Sequence, residues 1–273
     1  MPKFPVFAAT VALLTAVPLA AQDAPSSSLT YADLVDLAES APLVVRAEIR
    51  DQAVLEPERS PGLAPGYVRL YIEARTQALV AGDAPLGEDL RYLVDVPVNE
   101  KGKAPKLKKT QVLLFARTVP GRPGEIQLVG EDAQQVYSAE LEARLRPVLT
   151  SLVAPNAPPR IMRVADVLGV EGTLVGESET QLFLETEGDG PVSITVVRRP
   201  NQPPRWGVSW TEIVDQSARP PQPNTLEWYR LACSLPAELP GEANLSRDSR
   251  SRALAARDYD FVIDQLGSCD RNL

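Results

Sequence analysis

Lys101, Lys103, Lys106, Lys108 and Lys109 are the densest cationic feature of the chain, and apart from Lys3 they are its only lysines. They lie on a Gly- and Pro-containing stretch between two predicted strands, inside a protein of formal net charge −8. A local basic patch in an acidic chain suits an anionic partner: a lipid headgroup, a polyanion of the cell envelope or an acidic protein surface. The competing structural reading is a solvated hairpin loop, or a sheet edge guarded by lysine. Nucleic acid is a poor fit, because no aromatic residues are interleaved for base stacking, and the overall negative charge argues the same way.

Other residues bear on catalysis. Gly176-Glu177-Ser178-Glu179-Thr180 resembles half of a nucleophile elbow, but Thr180 stands where the second glycine belongs. A polar turn before a strand is the plainer reading. The chain has no histidine, which removes Ser-His-Asp and Cys-His arrangements and most zinc hydrolase sites. Glu185, Glu187 and Asp189 alternate across a predicted hairpin and offer oxygen ligands for calcium. The EF-hand spacing fails, since Val196 occupies the closing glutamate position. Trp206 and Trp210 fit a ligand groove or, more simply, buried anchors of a sheet. No carboxylate pair stands out. The expectation is a non-catalytic protein with no cofactor and no metal. A hydrolase working through carboxylates or an oxygen-ligated metal is the alternative.

Location conditions all of this. Lys3, the apolar run over 4–19 and the small pair Ala20-Ala21 have the three-part form of an export signal. Cleavage after Ala21 is expected, leaving a chain in the periplasm or outside the cell that does not span a membrane. The only two cysteines, Cys233 and Cys269, are then read as a disulfide.

The positioning elements follow from pattern. Thr30 caps a predicted helix over 31–39, and Ala41-Pro42 ends it. Strands are expected over 43–53, 67–79, 90–98, 111–118 and 125–129, from period-two alternation bounded by turn residues. Ser138 caps a second helix with Leu141, Leu145, Leu149 and Leu152 as its stripe and Pro147 inside it. The stretch 154–160 holds three prolines and marks a domain boundary. Beyond it, strands are expected over 181–187, 192–199 and 206–214. Asn224 and Glu227 predict a capping box for a helix ending near Ser234, and a last helix runs over 246–266 with Gly267 as its stop.

Residues 31–130 resemble exported bacterial OB-like domains of the netrin/TIMP-like type. The resemblance rests on Tyr31-Ala32-Asp33-Leu34-Val35, on Ala41-Pro42-Leu43-Val44-Val45-Arg46-Ala47 and on Gln111-Val112-Leu113-Leu114-Phe115. It implies a short helix followed by a barrel. Inhibitors of that type place an N-terminal cysteine on a metalloprotease zinc; this chain has no cysteine there, so the resemblance implies the fold and not the inhibition. The whole is similar to exported proteins of proteobacteria. The expected architecture is β-rich α+β: a signal over 1–21, an OB-like barrel with flanking helices over 22–153, and over 161–273 a small antiparallel sheet with two disulfide-linked C-terminal helices.

Overall fold

The computed structural model describes residues 28–188, 190, 192–211 and 219–273. The expected export signal and its cleavage junction lie outside the described residues, as does Asp189. Helix α1 (Tyr31–Ser40) starts on a reciprocal cap: the Thr30 hydroxyl accepts from the Asp33 amide, and the Asp33 carboxylate accepts from the Thr30 amide. Five strands follow: β1 (Leu43–Val54), β2 (Tyr67–Ala81), β3 (Asp89–Pro97), β4 (Gln111–Thr118) and β5 (Ile126–Leu128). Their order in the sheet is β3-β2-β1-β4-β5. A single parallel bridge, Arg91 to Glu125, joins the two outer strands, and the Arg91 amide donates to the Gly124 carbonyl at 2.8 Å. That order and closure make an OB-like barrel. A further short strand, β6 (Gln134–Val136), pairs with β4.

The barrel is filled by alternate residues. Leu43, Val45, Ala47 and Ile49 of β1 meet Leu70 and Ile72 of β2 and Leu90, Tyr92 and Val94 of β3. Strands β1 and β4 are also covered on their outer side, because Val44, Leu113 and Phe115 belong to a second core with α1. Coverage on both faces explains the unbroken apolar runs Leu43-Val44-Val45 and Val112-Leu113-Leu114-Phe115. Burying each such side chain contributes about 1.5–3 kcal/mol before conformational entropy is subtracted.

Helix α2 (Ala139–Leu152) starts at Ser138 as expected and continues through Pro147. Its buried positions are Leu145, Val148 and Glu142, while Leu141, Leu149 and Leu152 are half-buried. Glu142 ties the helix to β1: it takes hydrogen bonds from Arg46 and Arg146, and the Arg146 bond leads in holding its carboxyl below the usual range.

The second sheet is a meander of β7 (Ile161–Glu171), β8 (Ser178–Thr186), β9 (Val192–Arg198) and β10 (Arg205–Ser209), in the order β10-β9-β8-β7. Helix α3 (Leu226–Ala232) begins one residue later than the expected capping box requires. Thr225 is its cap, accepting from the Trp228 amide, and Asn224 is in the left-handed region at φ 59°. An asparagine tolerates that conformation, so it makes the turn and leaves the cap to threonine. Helix α4 (Ser249–Leu266) is capped by Asp248 and stopped by Gly267 at φ 72°. It packs on β7 and β8. The fold is α+β with two antiparallel sheets, and two of its helices are C-terminal.

Cys233, at the end of α3, and Cys269, beyond α4, form a disulfide. The larger core joins α1, α2, the second sheet, α3 and α4. The proline-rich stretch between α2 and β7 is held against both halves: Arg230 donates to the Pro158 carbonyl at 3.1 Å, and Arg160 pairs with Glu39 at 3.1 Å. The chain's last residues return to α1, where the Asn272 amide donates to Asp33 and Arg271 pairs with Asp36. Among the described residues, no helix is long and apolar enough to cross a membrane.

Candidate functional site

All five lysines stand exposed on the β3–β4 connection, 98–110. The loop is built rather than slack. The Asn99 carboxamide accepts from the amides of Lys101 and Lys103, and the Asn99 amide donates to the Lys103 carbonyl at 2.9 Å. Gln52 of β1 reaches across to hold it twice, donating to Pro105 and accepting from Leu107. Ala104 and Leu107 pack against the barrel core. Lys109 takes a left-handed φ of 71° and donates its amide to Ile49 at 2.7 Å. The backbone is thereby fixed, and the ammonium groups project to solvent. Among the described residues only Lys108 has an acidic partner, Asp51 at 3.5 Å, and both are exposed.

The remaining candidates are dispersed. Ser178 is the first residue of β8, not part of the preceding turn, and is 5% exposed. Its hydroxyl has no hydrogen-bond partner among the described residues, so no base addresses it. Glu177 is engaged by Arg199 at 2.8 Å. Glu185 pairs with Arg163 and Glu187 with Arg160, so both glutamates are matched by arginine. Among the described residues, no group of three acidic, cysteine or histidine side chains is placed to hold a metal. Trp206 is buried in the larger core and Trp210 packs against it, as sheet anchors do.

A concavity lies elsewhere, on the outer side of β3. It has a volume of about 810 Å³, within the range of ligand clefts. Its floor is made by outward-facing residues of β2 and β3, which pair in register as Arg69 with Asp95 and Tyr71 with Leu93. Arg117, residues of the segment 119–131 and Arg59 of the β1–β2 loop also line the concavity. Arg69 is spent on a two-pronged ion pair with Asp95 at 2.7 Å, and that hydrogen bonding lifts its guanidinium further above its ordinary range. Arg122 is paired with Glu125. Arg59 and Arg91 make no side-chain bond among the described residues, and Arg117 is held only by the neutral Gln127 carboxamide. Glu73 faces Arg91 in register but forms no ion pair with it.

Nothing locally dense in the sequence marks this cleft. Its arginines are spread from 59 to 122 and have no local density. The available signal was weak: within the predicted strands, Arg69 and Tyr71 alternate outward, and so do Arg91 and Leu93. No family model and no curated protein matches the sequence.

Proposed function

We propose that this chain is an exported, non-catalytic envelope protein whose lysine loop engages an anionic surface. The observation that carries the reading is the clamped β3–β4 loop: its backbone is fixed by Asn99 and Gln52 while five lysines face water. A fixed loop loses little conformational freedom on binding, so the Coulomb attraction is not offset by ordering. Each lysine at an anionic membrane surface contributes about 1 kcal/mol; the Asp51 partner of Lys108 and the neighbouring Glu100 subtract from that. The disulfide supports an oxidising compartment, in keeping with the export signal expected over 1–21. A netrin/TIMP-like kinship is part of the proposal as a scaffold only.

The test is sedimentation with vesicles of phosphatidylcholine, with and without phosphatidylglycerol, at low and high salt. Wild-type protein is expected to sediment with the anionic vesicles alone and to be released by salt. Replacing all five lysines with serine is expected to abolish the binding. A wild type that stays in the supernatant at low salt ends the proposal.

A further inference from the structure

We propose that the arginine-lined cleft on the barrel receives an extended acidic peptide segment, which adds as a strand along the free edge of β3. This goes beyond the lysine reading and uses other residues.

β3 pairs with β2 along its length, and on its other side, among the described residues, it makes only the Arg91–Glu125 bridge. The Arg91 amide points across that side, to the Gly124 carbonyl. Backbone groups two residues apart on a strand point the same way. Leu93 and Asp95 therefore present their N–H and C=O groups to the cleft, where no strand among the described residues meets them. The barrel is thus closed at one point and open beyond it. An unpaired edge is a template for another extended chain. Leu93, 46% exposed on this edge, gives an entering strand an apolar contact.

Arg59, Arg91 and Arg117 line the cleft with no acidic partner among the described residues, on a chain that carries a net charge of −8. Leaving cations unmatched in an acidic protein makes a local field of the opposite sign. Guanidinium forks match carboxylates in a two-pronged geometry. Tyr71, Leu93 and Val119 line the same cleft. A strand alternates its side chains, so a segment with acidic residues at every second position and apolar residues between them satisfies the arginines and the apolar floor together. An anionic polysaccharide satisfies the arginines but leaves the β3 edge unpaired.

The test uses an end-blocked synthetic peptide of alternating Glu and Val. The comparison ligands are its Lys/Val counterpart, a Glu/Val peptide with alternate amides N-methylated, and polygalacturonate. Affinity is read by fluorescence anisotropy, and backbone engagement by hydrogen exchange at Leu93 and Asp95. The Glu/Val peptide is expected to bind and to slow exchange at both amides. The N-methylated peptide and the Lys/Val peptide are each expected to bind at least about tenfold more weakly, a difference of about 1.4 kcal/mol. The triple variant Arg59→Ser, Arg91→Ser, Arg117→Ser changes exposed side chains only and is expected to lose binding with the fold intact. Leu93→Pro removes a donor that the β2 ladder does not use, which an edge strand tolerates, and is expected to block the peptide as well. Three results overturn the proposal: no Glu/Val binding up to about 1 mM, equal affinity for the N-methylated peptide, or tighter binding of polygalacturonate than of the peptide. Vesicle sedimentation of the lysine variant reads the other proposal, so either can fail without the other.

Discussion

Asp258 of α4 has no solvent exposure. It accepts from the Thr180 hydroxyl and from Arg198 Nε, each at 2.6 Å. Groups from β8 and β9 thus share one buried carboxylate of α4. Replacing only one member of such a set leaves the others desolvated and unpaired, which costs more than the set contributes against an apolar substitute. Asp258→Ala is expected to destabilise the protein by about 3–5 kcal/mol in urea unfolding. Asp258→Asn keeps an oxygen for Thr180 and is expected to cost less. A loss under about 1 kcal/mol for the alanine variant would place the network among the weak surface pairs. At this scale the sequence discloses what is locally dense and conceals what is assembled. The lysine cluster is adjacent in the chain and was readable. Asp258 sits among other charged residues of a polar-looking helix, and its burial comes from strands some sixty to eighty positions away.

The elements show the same division. Strand β4 has the ends that its pattern predicts, because its apolar run is bounded by polar residues on both sides. Strand β7 has no such pattern. Its buried residues Ile161, Val164 and Val167 recur every three positions, since register shifts fall between Ile161 and Arg163 and between Val164 and Asp166. Each irregularity inserts a residue and breaks the period of two on which the reading depends. Strand β6 is three residues long and has two glutamines, too short for any period. Gly169 of β7 is where α4 crosses most closely. A Cβ built there would stand 2.9 Å from the Ser251 carbonyl and 3.3 Å from the Ala255 amide. Both are backbone atoms, so a helix would have to move. Gly169→Ala is therefore expected to cost about 1–3 kcal/mol through overpacking, seen as a lowered urea midpoint with an unchanged slope. Gly121→Ala, in a turn with open space around it but at φ 74°, serves as the comparison for conformational strain alone. Equal losses in the two variants would mean that the close approach of α4 is not the cause.

At the level of the molecule, barrel and second sheet share a core, and the chain's return to α1 joins them again. Tyr229 and Arg271 both donate to Asp36, and Arg230 pairs with Glu39. None of these long-range pairs has a sequence signature, while the two sheets, their antiparallel character and the C-terminal helices all follow from pattern. The disulfide spans 36 residues. In the chain-entropy account, closing such a loop stabilises the fold by about 4 kcal/mol. Cys233→Ser with Cys269→Ser is expected to lower the stability by roughly that amount, measured by urea unfolding without reductant. An unchanged midpoint would show that the packed α3–α4 pair already confines the loop.

Cys269 stands just ahead of Arg271 and Asn272, the residues that grip Asp36 and Asp33 on the first helix. The sulfur bridge is what delivers this short tail to its seat. Opening it with a thiol reagent would be felt most sharply not at the cysteines themselves but some two hundred positions upstream, as a slackened grip on the barrel's leading turn.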